Sequence, residues 1–197
     1  MRFPSNLFRR SVLVGSDMWR DPDERLYARV KEGDVRAFDE LYARHAGRLF
    51  GFLRAQLPSA ADAEEVLHEA MLRAFESEEV VFDQASFRTW LYRIARNAAL
   101  NRLRSKTRGE RAALRIVPEP LPASADEQLA QAQRMRALDL AVARLPPPLA
   151  DVYRLRASGL SYEEMAGVLS IPLGTLKSRM HQVVHTLRED LAPWTAP

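Results

Sequence analysis

The stretch Ser161-Tyr-Glu-Glu-Met-Ala-Gly-Val-Leu-Ser-Ile-Pro-Leu-Gly-Thr-Leu-Lys-Ser-Arg-Met180 predicts two short helices joined by a tight turn. Ser161 and Glu164 have the spacing of a capping box at the start of the first helix. Ala166 is small enough for two helices to cross, and residues 171–174 form an apolar turn. This pattern is typical of a helix-turn-helix, whose second helix enters the major groove of DNA.

The second helix of this unit, predicted at about 174–191, separates into an apolar and a polar face. Its predicted core positions, which recur at helical spacing, are Leu176, Met180, Val183 and Leu187. The candidate DNA-contacting residues, whose side chains suit base edges and phosphates, are Thr175, Lys177, Ser178, Arg179, His181 and Gln182. His181 and His185 also have a spacing that metal ligands use, but no third ligand lies nearby, so we expect no metal site.

The other local signals are also helical. Further helices are predicted at about 21–33, 34–57, 60–77, 87–108, 125–144, 148–157 and 161–169. Asp21-Pro22-Asp23-Glu24 predicts a capped start for the first of them, and Gly33 and Gly159 are expected just past helix ends. Since no stretch alternates with period two for long enough to form a sheet, the prediction is an all-α fold.

Proline and composition divide the predicted helices into two small domains. Residues 117–122 hold three prolines, which cannot continue a helix, so 109–125 is predicted to be a Pro-rich linker. The helical domains are then 21–108 and 126–192. Residues 1–20 are expected to be a flexible extension, because the apolar run after Arg9-Arg10 is too short for a signal sequence. Met18 is an alternative start of translation.

The charge of the chain is concentrated in two neighbouring segments of opposite sign. Residues 60–86 carry a net charge of −7 and residues 87–115 carry +8, although the whole chain has only +3. A solvated face usually mixes signs, so this separation indicates that the two segments bind partners.

Each of these segments forms a helix with one apolar and one charged face. In the third helix, the predicted outer face is an acidic stripe with an apolar member, which suits a basic protein partner: Asp62, Glu65, Val66, Glu69 and Arg73. In the fourth helix, Phe87, Trp90, Leu91, Ile94 and Ala98 are predicted to be core, and the opposite face carries Arg88, Tyr92, Arg93, Arg96 and Asn97. The arginines would hold phosphates. Tyr92 is either a platform for an unpaired base or a core residue.

Composition excludes several classes of protein. With no cysteine there is no disulfide scaffold, no thiolate zinc site and no cysteine nucleophile. Eight glycines make a phosphate-binding Gly-rich loop unexpected, and no apolar run reaches the length of a membrane span. Because no motif pairs a nucleophile with a base, we expect neither an enzyme nor a cofactor nor a small-molecule substrate.

Three motifs in order resemble the bacterial extracytoplasmic-function (ECF, group 4) sigma factors of the sigma-70 family. Residues 62–75, Asp-Ala-Glu-Glu-Val-Leu-His-Glu-Ala-Met-Leu-Arg-Ala-Phe, are similar to region 2.2. Regions 2.3 and 2.4 are resembled by two neighbouring stretches, Phe87-Arg-Thr-Trp-Leu-Tyr-Arg-Ile-Ala-Arg-Asn97 and Asn101-Arg-Leu-Arg104. Region 4.2 is resembled by Gly159-Leu-Ser-Tyr-Glu-Glu-Met-Ala166 and Gly174-Thr-Leu-Lys-Ser-Arg179. The resemblance covers about 22–192.

The resemblance implies an alternative sigma factor that binds core RNA polymerase, through its beta and beta-prime subunits, and helps melt promoter DNA. The acidic stripe of the third helix would bind the core. Phe82, Asp83 and Gln84 would capture a flipped base of the minus-ten element, and the Arg88–Asn97 face with Arg104 would hold the adjoining strand. Residues 175–182 would read the minus-thirty-five element, although Gln182, Val183 and Val184 stand where the family commonly has arginines. An anti-sigma factor is the implied inhibitor.

The family also implies a location: a cytoplasmic bacterial protein, associated with the nucleoid in the holoenzyme, that an anti-sigma factor can hold at the membrane. Three rival interpretations are a helix-turn-helix regulator that is not a polymerase subunit, an enzyme, and a helical protein-interaction module. The first would carry an α/β receiver domain, for which residues 21–108 show no strands. The third would need the acidic face but not the basic helix.

Overall fold

The computed structural model describes residues 21–77, 86–109 and 126–195, and these ranges contain eight α-helices and no strand. The helices are α1 (Asp23–Lys31), α2 (Val35–Arg54), α3 (Ala60–Glu76), α4 (Phe87–Gly109), α5 (Asp126–Arg144), α6 (Pro147–Ala157), α7 (Tyr162–Leu169) and α8 (Leu173–Thr195). The all-α prediction is confirmed. The N-terminal extension, the loop with Phe82, Asp83 and Gln84, and the Pro-rich linker lie outside the described residues.

Side-chain caps begin several of the helices, as the sequence predicts. The Ser161 hydroxyl accepts a hydrogen bond from the Glu164 amide, and the Glu164 carboxylate accepts one from the Ser161 amide, so the capping box is confirmed. The predicted cap of α1 is wrong. Pro22 is the N-cap and no side chain caps this helix. Glu24 instead accepts a hydrogen bond from the Phe87 amide at 2.9 Å, because the amides at the start of α4 also need acceptors.

Three helices end at residues with left-handed backbone. Gly33 has φ of +92° after α1 and Gly159 has +81° after α6, a conformation that glycine adopts without strain. Both were predicted from the sequence. Ser170, with φ of 53°, ends α7 and starts the turn of the helix-turn-helix, a role that the sequence did not indicate.

Helices α1–α4 bury a common core of leucines and aromatic rings. The ring centre of Tyr27 lies 5.4 Å from that of Phe87 and 5.6 Å from that of Trp90. The Tyr27 hydroxyl donates a hydrogen bond to the Ala74 carbonyl at 2.9 Å. In α4, the predicted core residues Phe87, Leu91 and Ala98 are buried, and Trp90 and Ile94 are partly buried. The other face of α4 is therefore left for contacts outside this core.

Helices α5–α8 form the second helical unit around α8. Leu176, Met180 and Val183 are buried and Leu187 is partly buried, which confirms the predicted apolar face of α8. Leu155 of α6 and Met165 of α7 are fully buried in the same unit.

The two units pack against each other, and their buried residues form one continuous cluster. Helix α7 lies on α4, and α6 touches α2. Where α7 lies on α4, a Cβ on Gly167 would lie only 2.8 Å from the Thr89 Cγ2, so a larger side chain does not fit there without a shift of its neighbours. No described helix combines the length and apolarity that crossing a membrane requires.

Candidate nucleic-acid and protein interfaces

Three of the five residues predicted to bind a basic protein lie on the open side of α3. Glu65 and Arg73 are exposed, and Glu69 is partly exposed and pairs with Arg73 at 2.6 Å along the helix. Glu64 and Glu76 are exposed on the same helix. This side of α3 therefore offers a predominantly acidic surface.

Two of the five predicted residues, Asp62 and Val66, are not on this surface. Val66 is 1% exposed and belongs to the core. Asp62 is 4% exposed; it accepts hydrogen bonds from the Ser59 hydroxyl at 2.6 Å and from the Arg102 Nε of α4 at 3.1 Å. The hydrogen bond to Asp62, together with the charges of Glu65 and Asp62, raises the pKa of Arg102. Because a buried carboxylate needs such partners, Asp62 holds α3 and α4 together rather than facing a partner protein.

The apolar member of the acidic surface is Leu72 and not the predicted Val66. Its side chain is 52% exposed, one of the most exposed large apolar residues in the described part of the chain. Leu72 stands three residues after Glu69 and seven after Glu65, so all three share one helix face. That spacing was visible in the sequence and pointed to Leu72 as clearly as to Val66.

The basic face of α4 divides into an open part and a covered part. Arg93, Asn97 and Arg104 are exposed, as expected of residues that hold DNA. Arg88 and Arg96 are only partly exposed, because both reach across to the second helical unit. Arg96 forms a two-nitrogen contact with Asp151 of α6, and Arg88 donates to the Ser158 carbonyl at 3.0 Å.

The prediction that Tyr92 lies on an open face of α4 is wrong for this arrangement of the helices. Tyr92 is fully buried, with its ring 5.3 Å from Phe52 and the Arg88 guanidinium 5.9 Å from the ring centre. Its hydroxyl is buried without a hydrogen-bond partner. Burial raises the pKa of Tyr92, while Arg88 and Ser158 act in the opposite direction. Tyr92 was expected to face solvent on the side of α4 opposite the core, but neighbouring helices cover it.

The polar face of α8, in contrast, is open as predicted. Thr175, Lys177, Ser178, His181 and Gln182 are all exposed, and Arg179 is partly exposed. A shallow cleft runs beside this face between α7 and α8, with Lys177, His181 and His185 on its lining. His185 lies 3.2 Å from Glu189 on the same helix. Within the described ranges, no group of three or more potential ligands could hold a metal ion.

Comparison with protein families assigns both helical units. Residues 41–109 match the family described as Sigma-70 region 2, and residues 135–187 match Sigma-70, region 4. The RNA polymerase sigma-H factor of Pseudomonas aeruginosa is 30% identical to the chain, over 88% of the chain and 96% of that protein. The chain belongs to the extracytoplasmic-function sigma factors of the sigma-70 family. It is thus an alternative sigma factor, which directs RNA polymerase.

Other sigma factors are similar over comparable lengths. The ECF RNA polymerase sigma-E factor of Haemophilus influenzae is 30% identical over 87% of this chain and 96% of its own length. Among solved structures, CnrH in complex with the cytosolic domain of CnrY aligns with a TM-score of 0.66 at 23% identity, over 88% of this chain and 99% of that one. The sigma factor RpoE of Bartonella quintana, solved with the anti-sigma factor NepR, aligns with a TM-score of 0.62 at 21% identity, over 79% and 96%. The structural likeness supports the same fold.

Proposed function

We propose that three helices of this sigma factor have separate binding roles. Helix α3 binds core RNA polymerase, α4 holds the melted minus-ten element, and α8 reads the minus-thirty-five element. The observation that carries this assignment is the separation of charge. An acidic surface with an exposed leucine lies on α3, and an arginine-rich face lies on the adjoining α4. The acidic surface of α3 suits a basic partner, and the arginine-rich face of α4 suits an anionic one.

The acidic surface of α3 is suited to a basic partner of the kind that a core polymerase subunit offers. We assign core binding to Glu65, Glu69, Leu72 and Arg73, with the beta and beta-prime subunits as the partners. Leu72 supplies an apolar contact at the centre of charged neighbours, which is the usual composition of a binding hot spot and its rim. Asp62 and Val66 are buried beneath this surface, where they hold α3 in place.

For the minus-ten element we assign Arg88, Arg93, Arg96, Asn97 and Arg104 of α4, together with the Phe82–Gln84 segment expected from the sequence. Guanidinium groups contact phosphates whatever the base sequence, which suits a strand that is held while open. Tyr92 lies beneath Arg88, whose guanidinium is 5.9 Å from the centre of the ring.

For the minus-thirty-five element we assign the open face of α8. The recognition helix of a helix-turn-helix places its N-terminal residues against base edges, and Thr175, Lys177, Ser178, Arg179, His181 and Gln182 occupy the first three turns of α8. Lys177 and Arg179 provide phosphate or guanine contacts, and Gln182 provides an amide suited to adenine.

Two further features of the proposal rest on membership of the family. An anti-sigma factor is proposed as a partner, since solved structures with this fold include complexes with anti-sigma factors. The protein is proposed to act as a non-catalytic initiation factor, in the cytoplasm and within the holoenzyme at the nucleoid. No observation favours a regulator that acts without polymerase.

The α3 assignment is tested by a pull-down of purified core polymerase with variants that place a lysine on the acidic surface of α3. Glu69→Lys and Leu72→Lys should each weaken core binding at least tenfold, because one reverses a surface charge and the other removes an apolar contact. Asp190→Lys, at an exposed position of α8, is the matched control and should bind normally. Normal core binding by both α3 variants would contradict the assignment.

A further inference from the structure

Helix α1 contacts the end of α3 through its last residue. The ammonium group of Lys31 donates hydrogen bonds to the carbonyls of Phe75 and Ser77, at 3.2 and 2.8 Å. The last carbonyls of a helix have no partner within it and carry partial negative charge, so a lysine is favourable there. Because Lys31 is exposed, it acts on the end of α3 without belonging to the core.

The first turn of α1 contacts the start of α4. The Glu24 carboxylate accepts a hydrogen bond from the Phe87 amide at 2.9 Å, and the Ser86 hydroxyl accepts one from the Thr89 amide at 3.2 Å. The amides at the start of a helix carry partial positive charge, which an acidic side chain stabilises. Glu24 and Lys31 are therefore each opposite in charge to the helix end that they contact.

Between these two contacts, Tyr27 packs α1 against both helices. Its hydroxyl donates to the Ala74 carbonyl of α3 at 2.9 Å, and its ring centre lies 5.4 Å from that of Phe87 in α4. Glu24, Tyr27 and Lys31 are separated by three and four residues, so they share one face of α1. Since Tyr27 is 4% exposed, its burial fixes this face against the ends of α3 and α4.

The two helix ends held by α1 are those that residues 78–85 connect. Glu24 and Lys31 are seven residues apart, which along a helix is about 10 Å, so both ends are referred to one short rigid element. The proposed function assigns Phe82–Gln84, within this connection, to a flipped base of the minus-ten element. A connection whose ends are fixed has less conformational freedom to lose when it binds.

We propose that α1 is a positioning element for minus-ten recognition, in which Lys31 fixes the end of α3 and Glu24 fixes the start of α4, and together they orient the residues that select the base. The region 2 match begins at residue 41, so α1 lies outside the part of the chain that this family model describes. This inference rests on the proposed function. Glu24 and Lys31 are positioning residues, because they act through the helix ends that they hold and not by touching DNA.

Substitutions at these two residues release the helix ends without removing core side chains. Glu24→Ala removes the acceptor at α4, whereas Glu24→Gln keeps an oxygen that can accept from the same amide. Lys31→Met removes the donors at α3 and keeps an unbranched side chain, whereas Lys31→Arg keeps donors. Arg25→Met and Glu32→Ala are the matched controls, because Arg25 is exposed on α1 and Glu32 is exposed directly after it.

The first measurement is hydrogen exchange of the Phe87 amide, followed by NMR in the full-length chain. In Glu24→Ala the amide should exchange roughly fivefold faster or more, the effect expected from loss of one capping hydrogen bond. Glu24→Gln and Glu32→Ala should exchange at the rate of the wild type. An unchanged rate in Glu24→Ala would overturn the contact between α1 and α4, whatever the function of the chain.

The second measurement is promoter discrimination in run-off transcription with core polymerase. A promoter selected from genomic fragments by the wild-type holoenzyme competes with a copy altered in the minus-ten element or in the minus-thirty-five element. Glu24→Ala and Lys31→Met should each lose roughly fivefold of the minus-ten discrimination, as for a lost cap, and keep the minus-thirty-five discrimination. Glu24→Gln, Lys31→Arg and both control variants should keep both. A general loss of folded protein lowers transcription from all promoters alike and leaves these ratios unchanged.

Phe82→Ala separates the failure of this inference from the failure of the proposed function. If Phe82→Ala loses the minus-ten discrimination while the double variant Glu24→Ala/Lys31→Met keeps it, α1 is not a positioning element. An equal loss of both discriminations in the double variant would also overturn the inference, because α1 would then act on more than the minus-ten residues. Full discrimination by Phe82→Ala, or a wild-type chain that directs no transcription, would contradict the proposed function and the inference with it.

Discussion

Helices α4 and α8 carry the two promoter-binding faces expected from the sequence, but the face on α4 is partly covered whereas the face on α8 is open. On α8, the polar residues from Thr175 to Gln182 lie at the surface above a buried apolar stripe. On α4, Arg88 and Arg96 pair with the second helical unit, and Tyr92 is fully buried beneath them. A row of arginines in a sequence indicates that an anionic partner exists, but a carboxylate of the same chain satisfies it as well as a phosphate does.

The largest expected difference between the two faces is in stability. Tyr92→Ala should lower the free energy of unfolding by about 3–5 kcal/mol, the usual cost of removing a fully buried aromatic ring. His181→Ala on the open face of α8 should change it by less than about 0.5 kcal/mol, as at other exposed sites. Urea denaturation followed by circular dichroism measures both.

Tyr92→Phe provides the matched control for the ring. It keeps the buried aromatic surface and removes the unpartnered hydroxyl, so stability should stay the same or rise by up to about 1 kcal/mol. Equal, small effects for Tyr92→Ala and His181→Ala would show that the α4 face is open in solution, and the contrast between the helices would disappear.

An intermediate effect is expected at the open face of α8. Lys177→Ala and Gln182→Ala should reduce the preference of the holoenzyme for a promoter with an intact upstream element by about 1–3 kcal/mol each, the cost of a lost base contact. Competitive run-off transcription between intact and upstream-mutated promoters measures this preference. His185→Ala, exposed one turn further along α8, should leave it nearly unchanged.

Both α8 variants should change the free energy of unfolding by less than about 0.5 kcal/mol, because Lys177 and Gln182 are exposed. A loss of stability as large as that of Tyr92→Ala would break the comparison between the two faces.

The smallest expected effect concerns the acid stability of the region beside α4. Asp23 lines the crevice there and lies 2.7 Å from the His45 Nε2 and 3.0 Å from the Arg44 Nη1. Burial raises the pKa of Asp23, but the contacts with His45 and Arg44 outweigh it and the pKa is lowered from 3.8. A lowered pKa contributes stability that is present above about pH 4 and is lost as the pH falls through the folded value.

Asp23→Asn should therefore be less stable than the wild type at pH 7, and the difference should shrink when both are unfolded in urea at pH 3. Asp39→Asn, at an exposed position of α2, is the control and should follow the wild type at both pH values. A difference between wild type and Asp23→Asn that grows toward pH 3 would contradict the sign of the pKa shift.

Local features of the fold could be predicted from the sequence because their causes lie within a few residues of each other. The Ser161–Glu164 capping box, the glycines that end α1 and α6, and the buried stripe of α8 depend only on helical spacing and on backbone preferences. The motifs of regions 2 and 4 also lie within single helices or helix pairs, which is why the family could be identified from them.

The errors in the candidate site arise from contacts between residues far apart in the chain. Asp62 was assigned to a partner protein, but its cation is Arg102, forty residues later. Glu24 was expected to cap its own helix but caps α4, sixty-three residues away. The pairing of Arg96 with Asp151 spans the linker. Helical periodicity does not contain such information, since it orders residues around one helix and says nothing of which helix comes next to it. Leu72 is different, because its spacing from Glu65 and Glu69 was available in the sequence.

The central claim is that Arg96 holds promoter DNA, although in this structure it pairs with Asp151. Run-off transcription by the charge-swapped variant Arg96→Asp/Asp151→Arg, with the two single variants beside it, tests this most directly. The swap should restore the contact between α4 and α6 that each single variant breaks, yet transcription should stay at least tenfold below the wild type, because an aspartate cannot hold DNA phosphates. Asp151→Arg alone keeps Arg96 and should therefore transcribe like the wild type. Recovery of wild-type transcription by the swapped variant would show that Arg96 acts only within the protein, and would contradict the account.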